Sequence, residues 1–333
     1  MNPDRLSPAL LILLFFTGCA TAEVQTPGED SVAPAFEDSH IRAPDGVRLP
    51  FTRWEAQEDP RRVVLALHGF NDFRLSHQPL AEWLSRSGST VYAYDQRGFG
   101  ATEQRGIWPG EEALVADATT VLELLHERYP DTPVYLLGES MGAGVTLLTL
   151  SQEDAPAVAG AILMAPAVWG RDAQPWYQRA GLWLGTRTLP RLEVDTRWAN
   201  VDPSDDPEVL HYWEHHPLVI RETRVDALEG VTDLMGSALR ASPGLQVPTL
   251  IVYGGRDEVV PPEAICRMLK TLPDADSTPW RYAHYPEGWH LLARDSRSPE
   301  TLADLVAWLE HPQADLPSGR EHRGEAARET VCD

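Results

Sequence analysis

The chain has 333 residues, 43% of them hydrophobic, enough for a full core in one domain with an insertion. Its formal net charge is −22, with 28 Lys and Arg against 50 Asp and Glu. Such a surface excludes nucleic acid, whose phosphates need basic contacts, and gives no electrostatic pull toward anionic lipid.

In chain order, Ala9 to Phe16 is an unbroken apolar run behind Arg5. It is too short to span a bilayer and reads as the core of a signal peptide over 1–18. Phe16-Thr17-Gly18-Cys19-Ala20 resembles a bacterial lipobox, with Cys19 as the lipidated first mature residue. That implies an exported protein anchored to the membrane, and Ala20 implies the outer membrane if the source is Gram-negative. Residues 19–38, rich in Glu, Pro, Thr and Ala, are expected to form a flexible tether.

The catalytic domain is expected over 39–311. A hairpin is expected from His40 to Glu55, turning at Asp45-Gly46. Short apolar strands follow at Val63–Leu67, Thr90–Tyr94, Val134–Leu137, Ala161–Ala165 and Thr249–Tyr253, with a last one at Trp280–Tyr285. Helices are expected between them at Leu80–Ser87, Glu112–Arg128, Ala143–Leu150 and Glu263–Thr271, and after them at Glu300–Glu310. Buried strands alternating with helices predict an α/β fold with a mostly parallel sheet covered on both faces. From about 168 to 244 no strand is evident, and the segment holds Trp169, Trp176, Trp183, Trp198 and Trp213. It is expected to be a helical cap over the carboxyl edge of the sheet, with some tryptophans lining an apolar pocket. Residues 312–333 are polar and are expected to be a loose tail. Nothing in the sequence brings Cys266 and Cys332 together, so no disulfide is expected.

Gly138-Glu139-Ser140-Met141-Gly142 sits between a strand and a helix, the setting of a nucleophile elbow. Such a pentapeptide arises by chance in roughly one chain of this size in ten, so its weight depends on its partners. A serine hydroxyl needs a base held by a carboxylate, and on this kind of sheet they follow in the order Ser, acid, His. Asp257 leaves the Leu250–Tyr253 strand on a glycine turn and is the expected acid, ahead of Glu258 and Asp172. His290, in Gly288-Trp289-His290 after the last strand, is the expected base, ahead of His284. The backbone N–H groups of Met141 and Phe70 are the expected oxyanion donors, and His68 an organiser of the Phe70 turn.

With these residues in place the chain resembles the α/β-hydrolase family over about 40–311. The marks are His68-Gly69-Phe70, Asp95-Gln96-Arg97-Gly98-Phe99-Gly100, the Ser140 elbow, Gly255-Arg256-Asp257 and Gly288-Trp289-His290. Within that family it is similar to the monoglyceride lipase and lysophospholipase group, a serine aminopeptidase S33 type of hydrolase. The resemblance implies Ser140, Asp257 and His290 as the triad, Phe70 and Met141 as donors, and a monoacylated lipid ester as substrate. The group's best-known members continue after His-Gly with a Gly-Glu-His run, where this chain has Phe70-Asn71-Asp72-Phe73.

No cofactor or metal is expected: there is no phosphate loop or dinucleotide fingerprint, and His211, His215 and His216 lack further ligands. Competing readings are an esterase for small soluble esters, an acyltransferase, and a non-catalytic surface lipoprotein binding lipid or a partner. Oligomeric state is left open.

Overall fold

A computed structural model describes residues 21–28, 31–195, 201–273 and 280–332. The signal-peptide reading of 1–18, Cys19 and Trp198 lie outside the described residues.

The strands are β1 (Ala35–Phe36), β2 (His40–Arg42), β3 (Arg48–Trp54), β4 (Arg62–Leu67), β5 (Ser89–Tyr94), β6 (Val134–Glu139), β7 (Gly160–Met164), β8 (Glu193–Asp195), β9 (Glu222–Arg224), β10 (Thr249–Gly254), β11 (Trp280–Tyr285) and β12 (Glu321–His322). The helices are α1 (Gln78–Arg86), α2 (Glu111–Arg128), α3 (Met141–Leu150), α4 (Trp176–Thr188), α5 (Pro207–His215), α6 (Val225–Ala241), α7 (Pro262–Thr271), α8 (Ser298–Glu310) and α9 (Gly324–Cys332).

Ten strands form one sheet in the order β1-β2-β3-β5-β4-β6-β7-β10-β11-β12. The run from β5 to β11 is parallel, and β1, β2, β3 and β12 pair antiparallel at its ends. Successive strand residues point to opposite faces, so one strand feeds two cores. Val63, Leu65 and Leu67 of β4 join the core beneath α2, α3 and α7, while Val64 and Ala66 join the core beneath α1 and α8. This is why these strands read as continuous apolar runs without alternation.

The expected strands and helices stand where the pattern placed them, with ends shifted by one or two residues. Four expectations are corrected. First, residues 21–28 and 31–38 are packed against the body. Gln25 N–H donates to Trp108 O at 2.9 Å, and its side-chain amide donates to the carbonyls of Gln104 and Ile107 at 3.0 and 2.9 Å. Phe36 packs on Phe51 and Tyr92, with the Arg128 guanidinium 4.4 Å over its ring.

Second, the tail is structured. β12 extends the sheet beside β11, and α9 docks through buried Ala327 and an Arg328 Nε–H bond to Leu269 O at 3.1 Å. Third, this docking brings Cys332 to Cys266 of α7, and the two form a disulfide with Cα atoms 5.1 Å apart. Fourth, the cap is shorter than 168–244 and is not purely helical. Its β8 and β9 form a small antiparallel pair. α6, which closes the segment, belongs to the flanking layer: Leu234 and Ala238 pack against Gly144 of α3, where a Cβ would collide with the Leu234 side chain.

Candidate active site

β6 delivers the chain to Ser140, and α3 begins on the next residue. Ser140 has φ 54° and ψ −116°, a conformation costly for a residue with a side chain. It is held by bonds on both sides: its N–H donates to Met164 O at 2.9 Å, and its carbonyl accepts from Ala167 N–H at 3.1 Å. The flanking glycines are required by close approach. A Cβ on Gly138 would overlap the Gly142 carbonyl, and one on Gly142 would overlap the Leu67 carbonyl. The turn thus sits wedged against the end of β4.

That end of β4 carries the second turn. Buried His68 accepts the Gln96 N–H at Nε2, 3.0 Å away, and its Nδ1 lies 2.8 Å from Gly69 O. An acceptor at Nε2 leaves the proton on Nδ1, so the ring is neutral, and burial pushes its pKa down. His68 is therefore tied into the loop and is unavailable as a base, as its sequence context implies. The Phe70 ring packs edge-on against Phe99 and tilted against Trp108, and Phe70, Asn71 and Asp72 line the cleft. Among the described residues, the N–H groups of Phe70 and Met141 have no protein acceptor.

Asp257 and His290 come together from separate loops. His290 Nδ1 lies 2.7 Å from Asp257 Oδ2. The other oxygen, Oδ1, accepts the N–H groups of Val259 and Val260 at 2.8 and 2.9 Å, fixing the carboxylate plane. The proton on Nδ1 leaves Nε2 free to accept. Burial pulls the His290 pKa down, but the Asp257 charge and hydrogen bond outweigh it, so the net shift is upward. The His290 loop is pinned from the cap side, where Leu291 N–H donates to Pro203 O at 2.9 Å.

Ser140 and His290 open on one cavity of about 390 Å³. Its walls are mostly apolar, including Leu210, Trp213, Leu228, Val231, Val259 and Leu291. The Ser140 hydroxyl makes no hydrogen bond among the described residues, so Ser140 and His290 share a cavity without being bonded. Such contacts are often long in unliganded enzymes and tighten with substrate. Of the cap tryptophans, Trp213 lines the cavity, Trp169 packs on the core, and Trp176 and Trp183 are exposed on α4.

The family model described as serine aminopeptidase, S33 matches residues 58–297. The chain belongs to this family. Monoacylglycerol lipase of Mycolicibacterium smegmatis is 24% identical over 267 residues, covering 79% of this chain and 93% of that relative. Among solved structures, Paleococcus ferrophilus monoacylglycerol lipase matches with a TM-score of 0.65 and 23% identity, over 78% of this chain and 98% of that one. A soluble variant of the Saccharomyces cerevisiae monoglyceride lipase, in complex with a substrate analog, matches with a TM-score of 0.68 and 20% identity, over 86% and 97%. This S33 hydrolase thus has the α/β-hydrolase fold that these monoglyceride lipases share.

Two features of this S33 hydrolase's site were not legible as functional residues. The Asn71-Asp72-Phe73 turn, which departs from the group pattern, holds the cap. Asn71, at φ 62°, donates from Nδ2 to Thr223 Oγ1 at 2.6 Å and accepts Ile220 N–H at 3.0 Å. Phe73 stacks on His216 with centroids 4.2 Å apart. The second feature is a buried cluster of Asp72, Glu139 and Arg294 beside the cavity. Its members stand 222 and 155 residues apart in sequence, and only the fold places them together.

Proposed function

We propose that this carboxylic ester hydrolase cleaves monoacylated lipids, monoacylglycerol or lysophospholipid, through an acyl-enzyme on Ser140. The observation that carries the reading is the Asp257–His290 pair facing the cavity onto which the strained Ser140 turn opens. His290 Nε2 takes the proton of Ser140 as Oγ attacks the ester carbonyl. The Phe70 and Met141 N–H groups receive the oxyanion, and Asp257 stabilises the imidazolium. The imidazolium then gives its proton to the departing alcohol. Water, deprotonated by the same ring, releases the fatty acid and restores Ser140. The predominantly apolar cavity, of a size suited to a single small ligand, supports one acyl chain as occupant, as do the lipase names of the relatives.

A fluorophosphonate probe tests the nucleophile. Folded wild type is expected to label at Ser140 and Ser140→Ala to stay unlabelled; an unlabelled wild type refutes the enzyme mechanism. Fatty acid release from monoacylglycerols, lysophospholipids and short-chain esters tests the substrate, and a strong preference for soluble short esters refutes the lipid assignment.

We further propose that the protein is exported and anchored through diacylglycerol on Cys19. The Cys266–Cys332 disulfide supports an oxidising compartment. Cys19→Ala is expected to release the protein from membranes, and undiminished membrane retention refutes the anchor.

A further inference from the structure

Arg294 lies four residues beyond His290, in the same loop region, and is buried. Its Nη2 donates to Asp72 Oδ2 at 3.0 Å and to Glu139 Oε2 at 2.5 Å. Asp72 stands two residues past Phe70, and Glu139 immediately precedes Ser140. One guanidinium nitrogen therefore joins the turn of the expected oxyanion donor, the nucleophile elbow and the loop of the base. We propose that Arg294 is a positioning residue that holds these three turns in register and balances the charge around His290. The inference rests on the triad reading above.

Stability alone is a poor reason for this cluster. A buried ion pair is usually matched or bettered by apolar side chains of equal volume, because desolvation offsets the Coulomb gain. Hydrogen bonds from a charged, planar donor do supply something apolar packing does not, which is fixed direction. Two of its members are held in turn. Asp72 Oδ1 accepts the Phe73 N–H at 3.0 Å and also the Ser76 hydroxyl. Arg294 O accepts Ser204 Oγ–H from the cap segment at 2.9 Å. Asp72 and Glu139 are also among the residues that line the cavity. A shift of the guanidinium would therefore move all three turns together.

The charge balance follows from what surrounds His290. Asp257 faces it from the β10 loop, Glu139 from β6, and Arg294 from its own loop region. Asp72 and His77 flank Arg294 from the segment after β4, and Asp202 and Glu214 line the cap side of the cavity. Burial pushes the His77 pKa down to about 4, so that ring is neutral. Glu139 favours the imidazolium form of His290 and Arg294 opposes it. With Arg294 charged, the base is less readily protonated at neutral pH, where it must be free to accept the Ser140 proton.

The test compares Glu139→Gln, Arg294→Met and Arg294→Lys with wild type. Active sites are titrated with the fluorophosphonate probe, and kcat and the pH profile of kcat/KM are measured on a monoacylglycerol. Glu139→Gln is expected to move the acidic limb down by on the order of one pH unit. Arg294→Met is expected to move it up by a similar amount and to lower kcat per titrated site about tenfold or more. Arg294→Lys keeps the charge, so it should leave the limb in place and recover part of kcat. Titratable variants with wild-type kcat and an unmoved limb overturn the proposal, since a merely structural role lowers the titratable fraction alone. If Arg294→Met yields no folded protein, Arg294→Lys decides the matter: it keeps the charge but loses the planar donor, so it is expected to lower kcat per titrated site with the limb in place, and a wild-type kcat in that variant overturns the proposal. A wild type that does not label at Ser140 counts against the triad and not against this inference alone.

Discussion

Removing the disulfide is expected to cost the protein several kcal/mol without touching catalysis. Cys266 and Cys332 are 66 residues apart, and the bond closes that loop. The chain-entropy relation gives a loss of about 14.6 cal/mol/K from the unfolded ensemble for such a loop, or about 4 kcal/mol at 25 °C. The loop contains β11 and α8, whose side chains help fill the core beneath one sheet face, so the folded form is held by packing even when the bond is absent. Neither cysteine lines the catalytic cavity. Cys266→Ser/Cys332→Ser is therefore expected to unfold at lower urea concentration by about 3–4 kcal/mol of stability, with unchanged kcat per titrated site. Tryptophan fluorescence and circular dichroism along a urea series measure the first quantity. A double variant within about 0.5 kcal/mol of the parent refutes the reasoning, because the loop would then be equally restricted without the bond.

The acidic limb of kcat/KM should have its midpoint above pH 6.5, because the folded His290 pKa is raised and only the neutral ring accepts the proton; a midpoint below 6.5 contradicts the Asp257 pairing. The same shift makes the ring a source of stability that is complete below about pH 6.5 and lost as pH rises through the folded value. Asp257→Asn is expected to keep the fold and lower kcat on the order of 10⁴-fold by freeing the ring to adopt the wrong tautomer, and a loss below tenfold would show that His290 is oriented by something else. Gly142→Ala forces a Cβ into the Leu67 carbonyl; we expect a loss of about 1–3 kcal/mol in urea unfolding and a fall in probe labelling, and a wild-type labelling rate would refute the wedged-turn account. Arg97 bonds Asp117 at 2.7 and 2.9 Å and Asp45 at 2.6 and 3.2 Å. Arg97→Met should destabilise by about 3–5 kcal/mol, chiefly by stranding the buried Asp117 carboxylate, and a neutral result in thermal unfolding would show the cluster to be dispensable.

The parallel sheet and the Asp257–His290 pairing were legible because each depends on local pattern. Apolar runs such as Leu250–Tyr253 mark strands buried on both faces, and the candidate site residues Ser140, Asp257 and His290 sit beyond the ends of those strands. What escaped has partners distant in sequence. Cys332 reaches Cys266 only once α9 has packed on α7, and no composition rule shows that packing in a charged segment. Gln25 and Phe36 looked like tether residues because their docking relies on a few hydrogen bonds and one ring, not on periodicity. Leu234 and Ala238 read as cap because helical spacing says nothing about which layer a helix joins. Asn71 was visible as a departure from the group pattern, but its role as a latch required Thr223, 152 residues away.

The docked N-terminal arm sets the slack of the proposed anchor. Glu23 is fixed to the body, its N–H on Asp226 and its carboxylate 3.0 Å from Arg224. Only four chain steps separate it from Cys19, and four extended residues span at most about 14 Å. An acyl group on Cys19 would therefore keep this enzyme on a short leash. The flank carrying Glu23, Arg224 and Asp226 would ride close to the lipid headgroups, and rotation about the anchor would be restricted to a narrow set of poses. The distance a lipid product must travel between bilayer and cavity would then be set by the body's own dimensions.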